Sequence, residues 1–117
     1  MRALGLFVCA VALAACAHVE HVGADHTLTV ALTEYRLHPQ DVTVSQGELT
    51  IIVHNYGRLA HNLSVTLGRM SEGSTQPLLP GQSAQLALFL PPGRYLMAST
   101  ILSDQALGAY GTLTVTR

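Results

Sequence analysis

The sequence predicts an all-β fold, a two-sheet antiparallel sandwich with Greek-key connections. Two observations support this prediction. Short segments alternate hydrophobic with polar or small residues, which is the period of a strand that buries one face. Residues typical of tight turns separate these segments, at 45–47, 55–57, 80–81, 91–93 and 108–111. About seven short strands with this spacing are typical of a sandwich in which two sheets enclose one core.

The strands are predicted in chain order from this alternation. In the first, Leu28, Val30 and Leu32 alternate with threonine and alanine, so their side chains share one face. The same period places the later hydrophobic residues on the inner face of each strand. The predicted strands cover 27–33, 42–44, 49–53, 63–67, 86–90, 93–99 and 112–116.

Composition limits the size and the partners of the protein. The chain has 117 residues, 11% of them charged, and a formal net charge of -1. One domain is therefore expected, and a nucleic-acid partner is not, because such partners select clustered positive charge.

The N-terminal segment reads as an export signal. Arg2 precedes an uninterrupted apolar run over 3–15, which is shorter than the roughly 20 residues of a membrane-spanning helix. The run ends in Leu13, Ala14, Ala15 and Cys16, which resembles the lipobox of bacterial lipoprotein precursors. The resemblance implies that Cys16 is acylated and becomes the new N-terminus. An ordinary cleaved signal, with Cys16 as a spare residue, remains the alternative.

Three segments follow from this interpretation. Residues 1–15 are predicted as the signal peptide, 16–26 as the lipidated Cys16 with a polar tether, and 27–117 as the folded domain. Since Cys9 lies in the signal and Cys16 would carry the lipid, the domain holds no cysteine and no disulfide. The expected location is extracytoplasmic, on a bacterial membrane facing the periplasm or on the cell surface.

Several short motifs follow one another in a fixed order, at 34–39, 42–47, 53–57, 61–63, 79–83, 92–95 and 108–115. Their order and spacing resemble plastocyanin-like cupredoxins, the blue copper proteins. The resemblance runs from Thr27 to Val115 and implies a cupredoxin-like sandwich.

The resemblance also implies where the copper ligands of the family would lie. Two imidazoles, one thiolate and a weak axial thioether hold a type 1 copper. His61 matches the first imidazole, but the cysteine position falls on Ser99, the second histidine on Asp104 and the methionine on Ala109. A degenerate site is therefore predicted, because no thiolate is present in the domain.

These residues lead to the expected function. The chain is interpreted as an exported, lipid-anchored cupredoxin-like domain without a functional type 1 copper site. It is expected to be a non-enzymatic binding or accessory module of the bacterial envelope, with no cofactor. Its partners would be the membrane, through Cys16, and an envelope protein that the sequence does not identify.

Two alternatives remain open at this point. The first is a protein that binds copper or zinc through His61 and Asp104 together with histidines of the tether. The second is a hydrolase in which Ser99, His61 and Asp104 act as nucleophile, base and orienting acid. The tether histidines are His18, His21 and His26.

Overall fold

A computed structural model describes residues 18–117 of the chain. The predicted signal peptide and the predicted lipidation of Cys16 lie outside these residues. No helix in the described part of the chain is long and apolar enough to cross a membrane.

Residues 18–117 form ten strands and one single-turn helix, arranged as two facing sheets. One sheet has six strands in the order β1-β4-β10-β9-β6-β7, and the other has four in the order β3-β2-β5-β8. The all-β, two-sheet prediction is confirmed. The strands are β1 (Val19–His21), β2 (Thr27–Thr33), β3 (Arg36–His38), β4 (Asp41–Ser45), β5 (Gly47–Asn55), β6 (Ser64–Leu67), β7 (Met70–Ser74), β8 (Ser83–Leu90), β9 (Gly93–Ala98) and β10 (Tyr110–Thr116), and the helix is α1 (Asp104–Leu107).

Both sheets are mixed, which corrects the prediction that they are antiparallel. The pairs β5–β8, β9–β10 and β6–β9 are antiparallel, whereas β2–β5, β4–β10 and β1–β4 are parallel. The alternation of side chains reveals which face of a strand is buried, but it is the same for either direction of the neighbouring strand. Whether two neighbouring strands are parallel or antiparallel depends on connections that cross between the sheets. A pattern of consecutive residues in one strand does not reveal those connections.

The core lies between the two sheets and is built mainly from residues that the alternation placed inside. Leu67, which the alternation also placed inside, is exposed because β6 ends there. Fully burying a Val, Leu, Ile or Met side chain stabilises the fold by about 1.5–3 kcal/mol. The hydrophobic residues with no accessible surface come from strands of both sheets and from the loop before β6, namely Val30, Ile51, Val53, Leu63, Val65, Met97 and Leu113.

The sandwich also includes part of the segment predicted as a tether. Strand β1 pairs in parallel with β4, and the backbone N–H of Val22 donates to the carbonyl of Thr43 at 3.0 Å. The predicted domain boundary at Thr27 therefore lies inside the folded region. The sequence did not indicate β1 because all three of its side chains are exposed, so it shows no alternation.

One end of the sandwich collects four loops, and we call it the site end. Strand β5 ends there beside the start of β8, and β9 ends there beside the start of β10. The loops are 34–35, 56–63, 75–82 and 99–109.

Candidate functional site

His61 is held in the loop between β5 and β6 by backbone and side-chain hydrogen bonds. Its N–H donates to the carbonyl of Leu78 at 3.1 Å, and the N–H of Leu78 donates back at 2.7 Å. The buried amide of Asn55 donates to the carbonyls of Leu59 and Leu78 and accepts from the N–H of Gly57, each at 2.8 Å. These bonds fix the path of the loop and hence the position of the imidazole.

The loop between β9 and β10 carries the other three predicted positions. The N–H of Ser99 donates to the carbonyl of Ala109 at 3.0 Å, and the N–H of Ala109 donates to the carbonyl of Asp104 at 2.9 Å. The loop thus closes on itself, and all three residues are buried. Asp104 begins α1, with its side chain on the buried side of that turn.

The side chains of His61, Ser99 and Asp104 form one buried hydrogen-bonded cluster. Nδ1 of His61 lies 2.7 Å from Oδ2 of Asp104, and the hydroxyl of Ser99 donates to the same oxygen at 2.7 Å. The hydroxyl oxygen of Ser99 accepts from the N–H of Asn62 at 3.2 Å. Asn62 extends the cluster, because its side-chain oxygen accepts from the N–H of Thr100 at 2.7 Å. The cluster therefore supplies partners for polar groups whose burial without partners would cost stability.

Glu34 joins this cluster from the turn between β2 and β3. Its Oε1 lies 3.4 Å from Nε2 of His61, and the carboxylate accepts from the backbone N–H groups of Arg58 and Leu59. These two backbone donors, that of Arg58 first, lower the pKa of Glu34 from 4.5 to about 2. Sequence analysis gave Glu34 no site role. No local signal marks it, since it lies in a different loop and 27 residues before His61 along the chain.

Gly57 is the residue that allows Glu34 and His61 to approach each other. A Cβ at this position would lie 2.7 Å and 2.9 Å from the carboxylate oxygens of Glu34 and 2.9 Å from Nε2 of His61. Real Cβ atoms are essentially never so close to other heavy atoms. A side chain at residue 57 would therefore displace one partner or the other.

The two carboxylates lie at opposite nitrogens of the His61 ring. Asp104 is at Nδ1 and Glu34 is at Nε2, so these three side chains do not converge on a single point. Within residues 18–117, no three side chains of His, Cys, Asp or Glu are grouped so that they could hold a metal ion.

The predicted tether histidines lie apart from this cluster. His18 contacts Glu20 at 3.4 Å, His21 lies in the edge strand β1, and Nε2 of His26 contacts the hydroxyl of Ser45 at 3.2 Å. The carbonyl of His26 pairs with the N–H of Thr50, near the start of β5 and so at the far end of the sandwich from His61.

The order of contacts differs from that of a hydrolytic triad. In a triad the imidazole lies between the hydroxyl and the carboxylate, so that it can take the proton of the nucleophile. Here the carboxylate of Asp104 lies between Ser99 and His61, and the Ser99 side chain is buried. The three residues are brought together, but not in the order that the hydrolase interpretation requires.

Several solved structures share this fold. An auracyanin from Roseiflexus castenholzii is 22% identical, with a TM-score of 0.75 over 81% of this chain and 100% of its own. Auracyanin A from Chloroflexus aurantiacus, described as a blue copper protein, is 17% identical, with a TM-score of 0.70 over 82% of this chain and 99% of its own. An azurin from Methylomonas sp. strain J is 13% identical, with a TM-score of 0.67 over 78% of this chain and 98% of its own.

These likenesses confirm the cupredoxin-like fold that the motifs predicted. No curated protein matches the chain. The model of the family described as "Cupredoxin-like domain" matches residues 6–115, nearly the whole length. The chain therefore belongs to the cupredoxin-like domain family.

Proposed function

We propose that the chain is an exported, lipid-anchored cupredoxin-like module of the bacterial envelope that does not hold a type 1 copper and acts by binding a partner. The observation that carries this proposal is the contact between Asp104 and His61. The carboxylate lies 2.7 Å from Nδ1 of the one imidazole that matches a copper ligand, and Ser99 donates to the same carboxylate oxygen.

The chemistry of the donor set supports the proposal. A type 1 site depends on a soft thiolate, two imidazoles and a weak axial ligand. The corresponding positions offer one imidazole at His61, a hydroxyl at Ser99, a carboxylate at Asp104 and a methyl group at Ala109. These residues do not fit a blue copper ion.

Hydrogen bonding at the positions of the copper ligands also supports the proposal that the domain holds no type 1 copper. The ring of His61, the hydroxyl of Ser99 and the carboxylate of Asp104 all have partners within the protein. Among residues 18–117, the buried side-chain nitrogen or oxygen without a partner is Nδ1 of His26, at the far end of the sandwich. A metal ion bound by residues of loops 56–63 and 99–109 would hold these two loops together. The hydrogen-bonded cluster holds them together without a metal, so the fold can persist when the copper ligands are absent.

A copper titration of the full chain, purified after export, tests this proposal. Calorimetry with absorption and paramagnetic resonance spectra would be recorded for the wild type, His61→Ala and His38→Ala, the last being an exposed histidine outside the cluster. We expect weak Cu(II) binding that is the same in the wild type and His61→Ala, with no thiolate-to-copper absorption. Tight stoichiometric Cu(II) or Zn(II) binding that His61→Ala abolishes and His38→Ala preserves would instead identify a metal-handling protein.

The non-enzymatic part of the proposal has its own test. Because Asp104 separates Ser99 from His61, we expect no ester or amide turnover above background. Activity of the wild type that disappears in Ser99→Ala, with the fold intact by circular dichroism, would contradict this expectation.

A further inference from the structure

Exposed apolar side chains are concentrated at the site end of the sandwich. Leu102 is 97% exposed, and Leu79, Leu107 and Leu59 are between 55% and 58% exposed. They come from the loops 56–63, 75–82 and 99–109, so the chain brings them to one end from distant parts of the sequence. Three tyrosines at the same end are also exposed, namely Tyr35, Tyr56 and Tyr110.

Two of these exposed residues, Leu102 and Tyr35, have a strained backbone conformation. Leu102 has φ of 49° and Tyr35 has φ of 63°, in the left-handed region, which is costly for an L-residue. Glycine or asparagine would relieve that cost at either position. A strained leucine that is almost fully exposed gains nothing from the packing of its own domain, which points to a role outside it.

Two arginines are exposed at this end, Arg36 and Arg58. The carboxylate of Glu34 accepts from backbone N–H groups, and that of Asp104 is buried. Asp41 accepts a hydrogen bond from the hydroxyl of Thr112 at 2.7 Å. Apolar and aromatic side chains bordered by arginines suit the interface of an anionic membrane.

Strand β1 begins at the same end. It runs parallel to β4 and β10, with Val19 beside Asp41 and Asp41 beside Thr112. The first residue of β1 therefore lies near the first residues of β10. His18 lines a groove there together with Tyr35, Leu107 and Tyr110.

The distance from the predicted anchor to this groove is short. Cys16 is two residues before His18, and an extended chain covers at most about 3.6 Å per residue, or about 7 Å in all. A lipid on Cys16 would thus hold His18, and with it the site end, close to the headgroups. A long flexible tether would have left the orientation free, but β1 pairs three residues of the predicted tether with the sheet, and only two residues separate Cys16 and Val19.

We propose that the site end lies on the membrane that holds the Cys16 lipid, with Leu102 and Leu107 in the interfacial layer and Arg36 and Arg58 against anionic lipid phosphates. This inference rests on the lipid anchor of the proposed function. It also adds a constraint, because the loops around His61 then face the bilayer. A protein partner would bind the far end or the outer faces of the sheets.

Single-cysteine labelling of the full, lipid-modified chain tests this orientation. The sequence after Cys16 contains no cysteine, so Leu102→Cys provides the one free thiol once Cys16 is acylated. The labelled protein would be reconstituted in vesicles of phosphatidylethanolamine and phosphatidylglycerol, and the acyl group verified by mass spectrometry. Phe89→Cys is the matched control, since Phe89 is 77% exposed and pairs with Glu48 at the far end.

We expect a fluorophore at residue 102 to lose quenching by aqueous iodide and to gain quenching by lipid-borne nitroxide, while the label at residue 89 stays accessible to iodide. Acylated protein whose two labels are equally accessible would overturn the orientation and leave the anchor in place. Absence of the acyl group would overturn the anchor and the orientation together. Shielding that persists in detergent and grows with protein concentration would indicate contact between copies and would overturn the membrane assignment.

Discussion

Oδ2 of Asp104 lies 2.7 Å from Nδ1 of His61, although the two residues are 43 positions apart in the sequence. The pair joins the loop that follows β5 to the loop that follows β9, and both side chains are buried. Ser99 donates to the same oxygen, so one carboxylate satisfies two buried donors. A single carboxylate oxygen therefore bridges these two loops.

Replacing Asp104 with alanine is expected to destabilise the domain by about 2–4 kcal/mol. The change leaves Nδ1 of His61 and the hydroxyl of Ser99 buried without their shared acceptor. Urea unfolding at neutral pH measures this through the midpoint. Gln105→Ala is the matched control, because Gln105 is exposed in the same helical turn and should change stability by less than about 0.5 kcal/mol. Equal stability of the two variants would show that the cluster does not support the fold.

Gly57→Ala is expected to lower stability by about 1–3 kcal/mol through overpacking. The added methyl group would lie within 2.9 Å of the Glu34 carboxylate and of His61 Nε2, and one of them must move. Gly23→Ala serves as the control, since the nearest atom to its Cβ would be 3.8 Å away. Thermal or urea unfolding of both variants measures the difference. A Gly57→Ala protein as stable as Gly23→Ala would contradict the close packing of Glu34 on His61.

Glu34→Gln is expected to lower the free energy of unfolding at neutral pH and to make that free energy depend less on pH between neutral and acidic conditions. In the folded protein the backbone N–H of Arg58, and then that of Leu59, lowers the pKa of Glu34 from 4.5 to about 2. Between these pH values the unfolded chain takes up a proton that the folded chain does not. The advantage of the wild type over Glu34→Gln is therefore complete above pH 4.5 and is lost as the pH falls to about 2.

Urea unfolding of both proteins across this range measures the difference directly. A difference in unfolding free energy that stays constant from neutral pH to pH 2 would mean that the Glu34 carboxylate is not held by these donors.

The triple variant Ser99→Cys, Asp104→His and Ala109→Met is expected to bind Cu(II) with intense visible absorption. The three positions are close to one another and to His61, and the changes supply a thiolate, a second imidazole and a thioether. Asp104→His with Ala109→Met, without the cysteine, is the control and should lack that absorption. Copper binding by the triple variant without a thiolate-to-copper band would show that these are not the copper positions of the family.

The local sequence pattern predicted which face of a strand is buried, but not which strands are neighbours. Alternation in the sequence correctly placed Val30, Ile51 and Leu113 inside, because facing is a property of consecutive residues in one strand. It did not reveal that β2 runs parallel to β5, since neighbouring strands are chosen by connections between the sheets. It also missed β1, whose exposed side chains carry no period.

The site shows the same division. The sequence by itself determined the chemical groups available, one imidazole with a hydroxyl, a carboxylate and a methyl group at His61, Ser99, Asp104 and Ala109, and it excluded a thiolate. Only the tertiary structure decided that Asp104 lies between Ser99 and His61 and that Glu34 reaches the other ring nitrogen. Spacing along a chain limits which residues can meet, but the contacts of a buried side chain depend on how two sheets and their loops pack in space.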